Sequence, residues 1–148
     1  MKARLVVVAA IATVGLGNAA QAQSFFACSA NNGQFWGLYR ATTASVQLWN
    51  PGNGWSGDLC RERDCVITAD KIEMQWTSRS EGEYAYTDAQ HSFNVNRRSG
   101  TASQRYVGDQ WTYDGQPYTP NGWNPHSDVL TTGACKKAED PEAGPPKF

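Results

Sequence analysis

No apolar run in this chain of 148 residues is long enough to cross a bilayer as a helix. The longest, Leu5 to Leu16, holds twelve residues, and a helix of that length rises only about 18 Å against a hydrocarbon core of ~30 Å. Histidine is scarce, with His91 and His126 the only two. The four cysteines lack zinc-site spacing, since Cys60 and Cys65 have neither a second pair nor a neighbouring histidine, and no metal is expected. The Gly-x-Ser-x-Gly elbow, His-Glu-x-x-His, the P-loop and the Cys-x-x-Cys redox motif are all missing, so no catalytic residue and no cofactor is assigned. Helical periodicity is missing too. So is any Asn-x-Ser/Thr sequon, which favours a bacterial envelope over eukaryotic secretion.

What is present begins with an address. Lys2 and Arg4, the apolar run, and Ala20-Gln21-Ala22 have the order of a secretory signal peptide over residues 1–22, and export to the periplasm or the medium is therefore expected, with no membrane span after processing. The leader carries two of the 13 basic residues and none of the 14 acids, leaving the remainder at −3. That balance offers no electrostatic footprint for nucleic acid. Arg61, Arg63, Arg97, Arg98 and Arg105 are interleaved with acids and polar residues as a solvated surface. Export turns the cysteines into expected disulfides. Of three possible pairings, Cys28 with Cys135 and Cys60 with Cys65 are favoured, one tying the ends of the folded region and the other closing Arg61-Glu62-Arg63-Asp64. Residues 23–135 are read as one β domain. The charged, proline-rich residues 136–148 are read as a disordered tail.

Period-two alternation recurs, so the fold class is all-β. In Lys71–Thr77 it sets Ile72, Met74 and Trp76 on one face as core residues. Glu83–Asp88 follows across a turn at Ser80-Glu81-Gly82. A second hairpin is predicted from Phe93–Arg98, a two-residue loop Ser99-Gly100, and Thr101–Val107, which sets Phe93 opposite Tyr106 and Asn94 opposite Arg105. Shorter strands are predicted at Phe25–Ser29, Phe35–Arg40, Val46–Trp49, Cys65–Thr68 and Gln110–Tyr113. About seven or eight short strands point to a small antiparallel barrel or sandwich, stabilised by disulfides.

Asn-Gly-Trp occurs twice beside proline, at Asn53-Gly54-Trp55 and Asn121-Gly122-Trp123. Turn chemistry holds such backbone at the surface, where an indole either stacks on a ligand or folds back as a lid. Trp55, Trp123, Asn53 and Asn121, with the Asn94 and Arg105 face, are the candidate ligand-binding residues. Glu81 and Glu83 at one turn, and Asp109 and Asp114 around Trp111, read as solvated acids.

The segment Ser99-Gly100-Thr101-Ala102-Ser103-Gln104-Arg105-Tyr106 resembles the Ser-Gly and Arg-Tyr elements of membrane-associated and periplasmic C-type lysozyme inhibitors, with four residues between the two elements. That resemblance implies a barrel whose Ser99 and Arg105 reach an enzyme's cleft. The residues themselves point to an exported, non-enzymatic binding protein of the bacterial cell envelope, its partner a cell-wall glycan or an envelope protein. The alternatives are a small hydrolase built on His91 or His126, and a structural envelope protein without a ligand.

Overall fold

A computed structural model describes residues 23–144. The expected leader, and residues 145–148 of the expected tail, lie outside the described residues. Among the described residues nine strands form: β1 Ser24–Ala30, β2 Phe35–Ala41, β3 Val46–Asn50, β4 Gly54–Trp55, β5 Asp64–Ile67, β6 Lys71–Glu81, β7 Ala85–Asn96, β8 Thr101–Thr112 and β9 His126–Lys137. All belong to one antiparallel sheet in the order β4-β3-β2-β1-β9-β8-β7-β6-β5. The outermost strands, β4 and β5, do not pair with each other. The expected barrel or sandwich is thus a single open sheet, curled into a half-barrel, and it has nine strands rather than seven or eight.

The strands are also longer than the alternation marks out. Glu83–Asp88 and Phe93–Arg98 belong largely to one strand of 12 residues, β7. Thr101–Val107 and Gln110–Tyr113 likewise merge into β8. The β7–β8 register differs from the predicted one by two residues. Phe93 meets Gln104, Asn94 meets Ser103, Ser92 meets Arg105 and His91 meets Tyr106. The cause is the turn: the Asn96 side-chain oxygen accepts the N–H groups of both Arg98 and Ser99 at 3.0 Å, and Gly100, at φ +74°, returns its N–H to the Asn96 carbonyl. An Asx-capped turn ending in left-handed glycine replaces the two-residue loop. A slip of two keeps every side chain on its face.

The buried apolar residues share one face. Ile72 and Met74 of β6, Phe93 and Val95 of β7, Ala102 of β8, Phe26 and Cys28 of β1, Tyr39 and Ala41 of β2, and Val46 of β3 form a single cluster. The curl closes it. Phe93 stacks on Tyr39 at 5.2 Å, although β1, β9 and β8 lie between their strands in the sheet. The indole of Trp36 adds an edge contact to Phe93 at 6.2 Å. Cys28 is bonded to Cys135, its direct partner in the β1–β9 ladder, and Cys60 to Cys65, as the sequence favours. Beyond Cys135 the ladder runs to Lys137, and the Ala138 N–H donates to the Phe25 carbonyl.

Candidate functional site

The four long strands outreach the core. β1 pairs with β9 only over Gly133–Lys137, while β8 pairs with β9 as far as His126. Over that extension the core face carries an aromatic row instead of a sealed interior. Trp76, His91 and Tyr106 are direct neighbours across β6, β7 and β8. Trp76 is half-buried, unlike its strand companions Ile72 and Met74. His91 stacks parallel to it at 4.9 Å, Tyr106 meets His91 edge-on at 5.3 Å, and the Arg63 guanidinium lies 4.0 Å from the indole centre. The Cys60–Cys65 bridge closes the loop that carries Arg63.

His91 is not isolated. Its Nε2 lies 2.8 Å from the Ser78 hydroxyl, and Nδ1 of His126 lies 2.8 Å from the Asp109 carboxylate. A Ser–His contact is part of a nucleophilic triad, but the pattern needs a third group orienting the imidazole. Among the described residues Nδ1 of His91 has no hydrogen-bond partner, and the ring is positioned by Trp76 instead.

The opposite face borders the larger cleft, of about 660 Å³, which Trp76 and His91 of the aromatic row also line. Strand alternation and register stack its floor in rows: Gln75, Ser92 and Arg105, then Thr77, Gln90 and Val107. The loop Arg61–Asp64 forms its wall. A second hollow of about 320 Å³ shares Thr77, Gln90 and Val107 with the first and continues to Arg79, Asp88 and Asp109. Those three form the next row, and Glu81, Tyr86 and Trp111 the one after. The charged members are internally balanced. Arg105 holds Asp128 through two hydrogen bonds, at 2.9 and 2.6 Å, and Arg79 holds Asp88 likewise, at 2.7 and 2.9 Å. The hydrogen bonds from these guanidiniums, reinforced by their charge, lower the pKa of Asp128 and Asp88 below the ordinary carboxylate value. By contrast, the side chains of Gln75, Thr77, Gln90 and Ser92 make no hydrogen bond among the described residues.

The sequence candidates fall in different places. Asn94 and Arg105 lie on this same face, Asn94 in the row below Arg105, opposite Ser103. Ser99 sits in the β7–β8 turn, its hydroxyl 2.8 Å from that of Thr101, and Arg105 is engaged by Asp128. Trp55 packs down on edge strand β4, against Trp49 at 5.3 Å and Phe25 at 5.8 Å, with Arg40 above its ring. Its indole nitrogen is buried without a hydrogen-bond partner among the described residues. Asn53 is exposed beside it. Trp123 is 74% exposed in the β8–β9 connection, after Asn121 at φ +56°. That connection returns beside Trp111, since Gln110 donates its N–H to the Pro125 carbonyl. The two Asn-Gly-Trp turns therefore do not form one site: one lies on the β4 edge and the other at the far end of β8.

The residues that floor the cleft, Gln75, Thr77, Gln90 and Ser92, carry no signal of their own. Amides and hydroxyls at outward strand positions have the pattern of any solvated face. No family model, curated protein or solved structure matches the chain. Among the described residues no cluster of side chains is arranged to hold a metal ion, and no helix is long and apolar enough to cross a membrane.

Proposed function

We propose that this chain is a non-enzymatic binding module of the bacterial cell envelope, working outside the cytosol, with its recognition surface on the face of β6, β7 and β8 opposite the core. The observation that carries the reading is the cleft of about 660 Å³ on that face, floored by polar side chains with unused hydrogen-bonding capacity. Concave sites with convergent polar groups are the usual ground for recognition. Two disulfides suit an oxidising compartment. The exposed Trp123 adds an aromatic contact at the far end of the same strands. Mixed with isolated cell envelopes, the purified full chain is expected to sediment with them saturably and to release no soluble fragments. Absence of retention, or continuous release of fragments, overturns the proposal.

One observation favours a second reading, a small hydrolase: the 2.8 Å contact of Ser78 with His91. A serine-directed fluorophosphonate probe separates the two. The binding module leaves Ser78 unlabelled, whereas a hydrolase is labelled there and loses the label on His91→Ala.

A further inference from the structure

We infer that the ligand of this face is a neutral, hydroxyl-rich chain, a short stretch of uncharged polysaccharide laid along the strands. The inference rests on the binding reading above and names the chemistry its surface selects. The first property that selects it is hydrogen-bond capacity. Gln75 and Gln90 each offer an amide that donates and accepts, and Thr77 and Ser92 each offer a hydroxyl that does either. None of the four spends that capacity on another described side chain. A sugar hydroxyl has the same dual character and matches such a floor group by group.

The second property is charge. The wall alternates Arg61, Glu62, Arg63 and Asp64, and the floor's guanidiniums are committed to Asp128 and Asp88. No net positive field remains to gather a polyanion. The third is apolar content. Val107 is the one aliphatic side chain of the two floor rows, and the aromatic rings at the cleft, Trp76 and His91, are stacked on each other with Arg63 over the indole, so a protein partner finds no open pocket for the buried aromatic or aliphatic anchor on which such interfaces depend.

The fourth is shape. From the row of Gln75 to the row of Arg79 the shared hollows run ~14 Å along the strands, with rows of side chains ~4.8 Å apart from strand to strand. This is a trough rather than a hole. Trp111, half-buried in the next row, supplies a ring where the polar floor ends, beside Tyr86, whose own ring lies under the Arg79 guanidinium at 4.4 Å. Apolar faces of a sugar ring stack on such rings while its hydroxyls bond to amides.

The test is a titration of the full ¹⁵N-labelled chain with cellotetraose, chitotetraose and a sulfated heparin tetrasaccharide, followed in amide correlation spectra. A neutral tetrasaccharide is expected to move the signals of Gln75, Gln90, Ser92 and Arg105 saturably and independently of salt. Gln75→Ala with Gln90→Ala is expected to weaken that binding about tenfold, two hydrogen-bonding groups having been lost, with thermal unfolding unchanged. Silence with both neutral sugars at millimolar concentration overturns the inference, as does tighter binding of the sulfated one or a response centred on Tyr106 and Val129 of the core face. If the neutral sugars are silent while envelopes still retain the protein, only this inference falls; if retention is lost as well, the binding reading falls with it.

Discussion

The imidazole of His91 lies flat against the indole of Trp76, centroids 4.9 Å apart and planes within 2°. The two residues are direct partners across β6 and β7, so the sheet register itself places one ring on the other. This stack, with Arg63 over the indole and Tyr106 at the imidazole edge, continues the core face where the aliphatic cluster ends. His91 is thereby a packing residue. His91→Ala is expected to destabilise the fold by about 1–2 kcal/mol, an aromatic pair and its burial having been removed. Urea unfolding reads this directly, and a stability equal to wild type contradicts the packing role.

The two disulfides differ in span, 107 residues against 5. By the chain-entropy relation, Cys28→Ala with Cys135→Ala is expected to cost about 5 kcal/mol and Cys60→Ala with Cys65→Ala about 2. The smaller change carries a second expectation. The freed loop no longer holds Arg63 over Trp76, so the tryptophan emission of the folded protein shifts. An unchanged spectrum places the hold on Arg63 elsewhere.

Gly133 and Gly108 form a contrast. A methyl group on Gly133 of β9 would fall against the Ser29 carbonyl oxygen and the Ala30 backbone, neither of which can move without breaking the β1–β9 ladder. On Gly108 of β8 its nearest neighbours would be the ring and hydroxyl of Tyr106, a side chain that lies over that glycine and is able to swing aside. Gly133→Ala is expected to cost about 3 kcal/mol and Gly108→Ala about 1. Thermal or urea denaturation ranks the pair, and equal costs would mean that the Tyr106 ring is as fixed as backbone.

Acid should weaken the paired carboxylates in a particular window. Asp88 and Asp128 have pKa values lowered in the folded state, first by hydrogen bonds from Arg79 and Arg105 and then by the charge of those groups. The stabilisation is therefore complete above the unfolded carboxylate value, ~3.9, and is lost as the pH falls through the lowered folded values. Carboxyl NMR titrations are expected to show both midpoints below that value. Arg79→Gln and Arg105→Gln should each bring back up the midpoint of its own partner only.

The class of fold was legible because it rests on alternation. Ile72 and Met74 alternate with Lys71 and Glu73, and the structure buries the first pair. Trp76 kept the parity but not the burial, because its row lies where the curled sheet no longer covers itself. β9 left no such trace. His126–Leu130 is exposed throughout, so its residues carry no inside–outside pattern, and it becomes a strand through hydrogen bonds to β8 and β1. The β7–β8 register turned on one side chain, Asn96, whose capping of the turn outweighed the pull of a two-residue loop. Trp123 was legible as an exposed aromatic; Trp55 was not legible as a packed one, since the turn motif is the same and only the neighbours Trp49 and Phe25 separate the two. The cleft floor stayed silent because solvated strand residues and ligand-binding ones are drawn from the same amides and hydroxyls.

The most direct test of the account is retention on isolated cell envelopes, compared among wild type, Gln90→Arg and Tyr106→Ala. Gln90 lies in the middle of the floor, exposed, and is shared by both hollows, so a bulky cation there blocks the trough without touching the core. Gln90→Arg is expected to abolish retention at an unchanged melting temperature, whereas folded Tyr106→Ala is retained like wild type. Undiminished retention of Gln90→Arg, or loss of retention on Tyr106→Ala alone, contradicts recognition through this face.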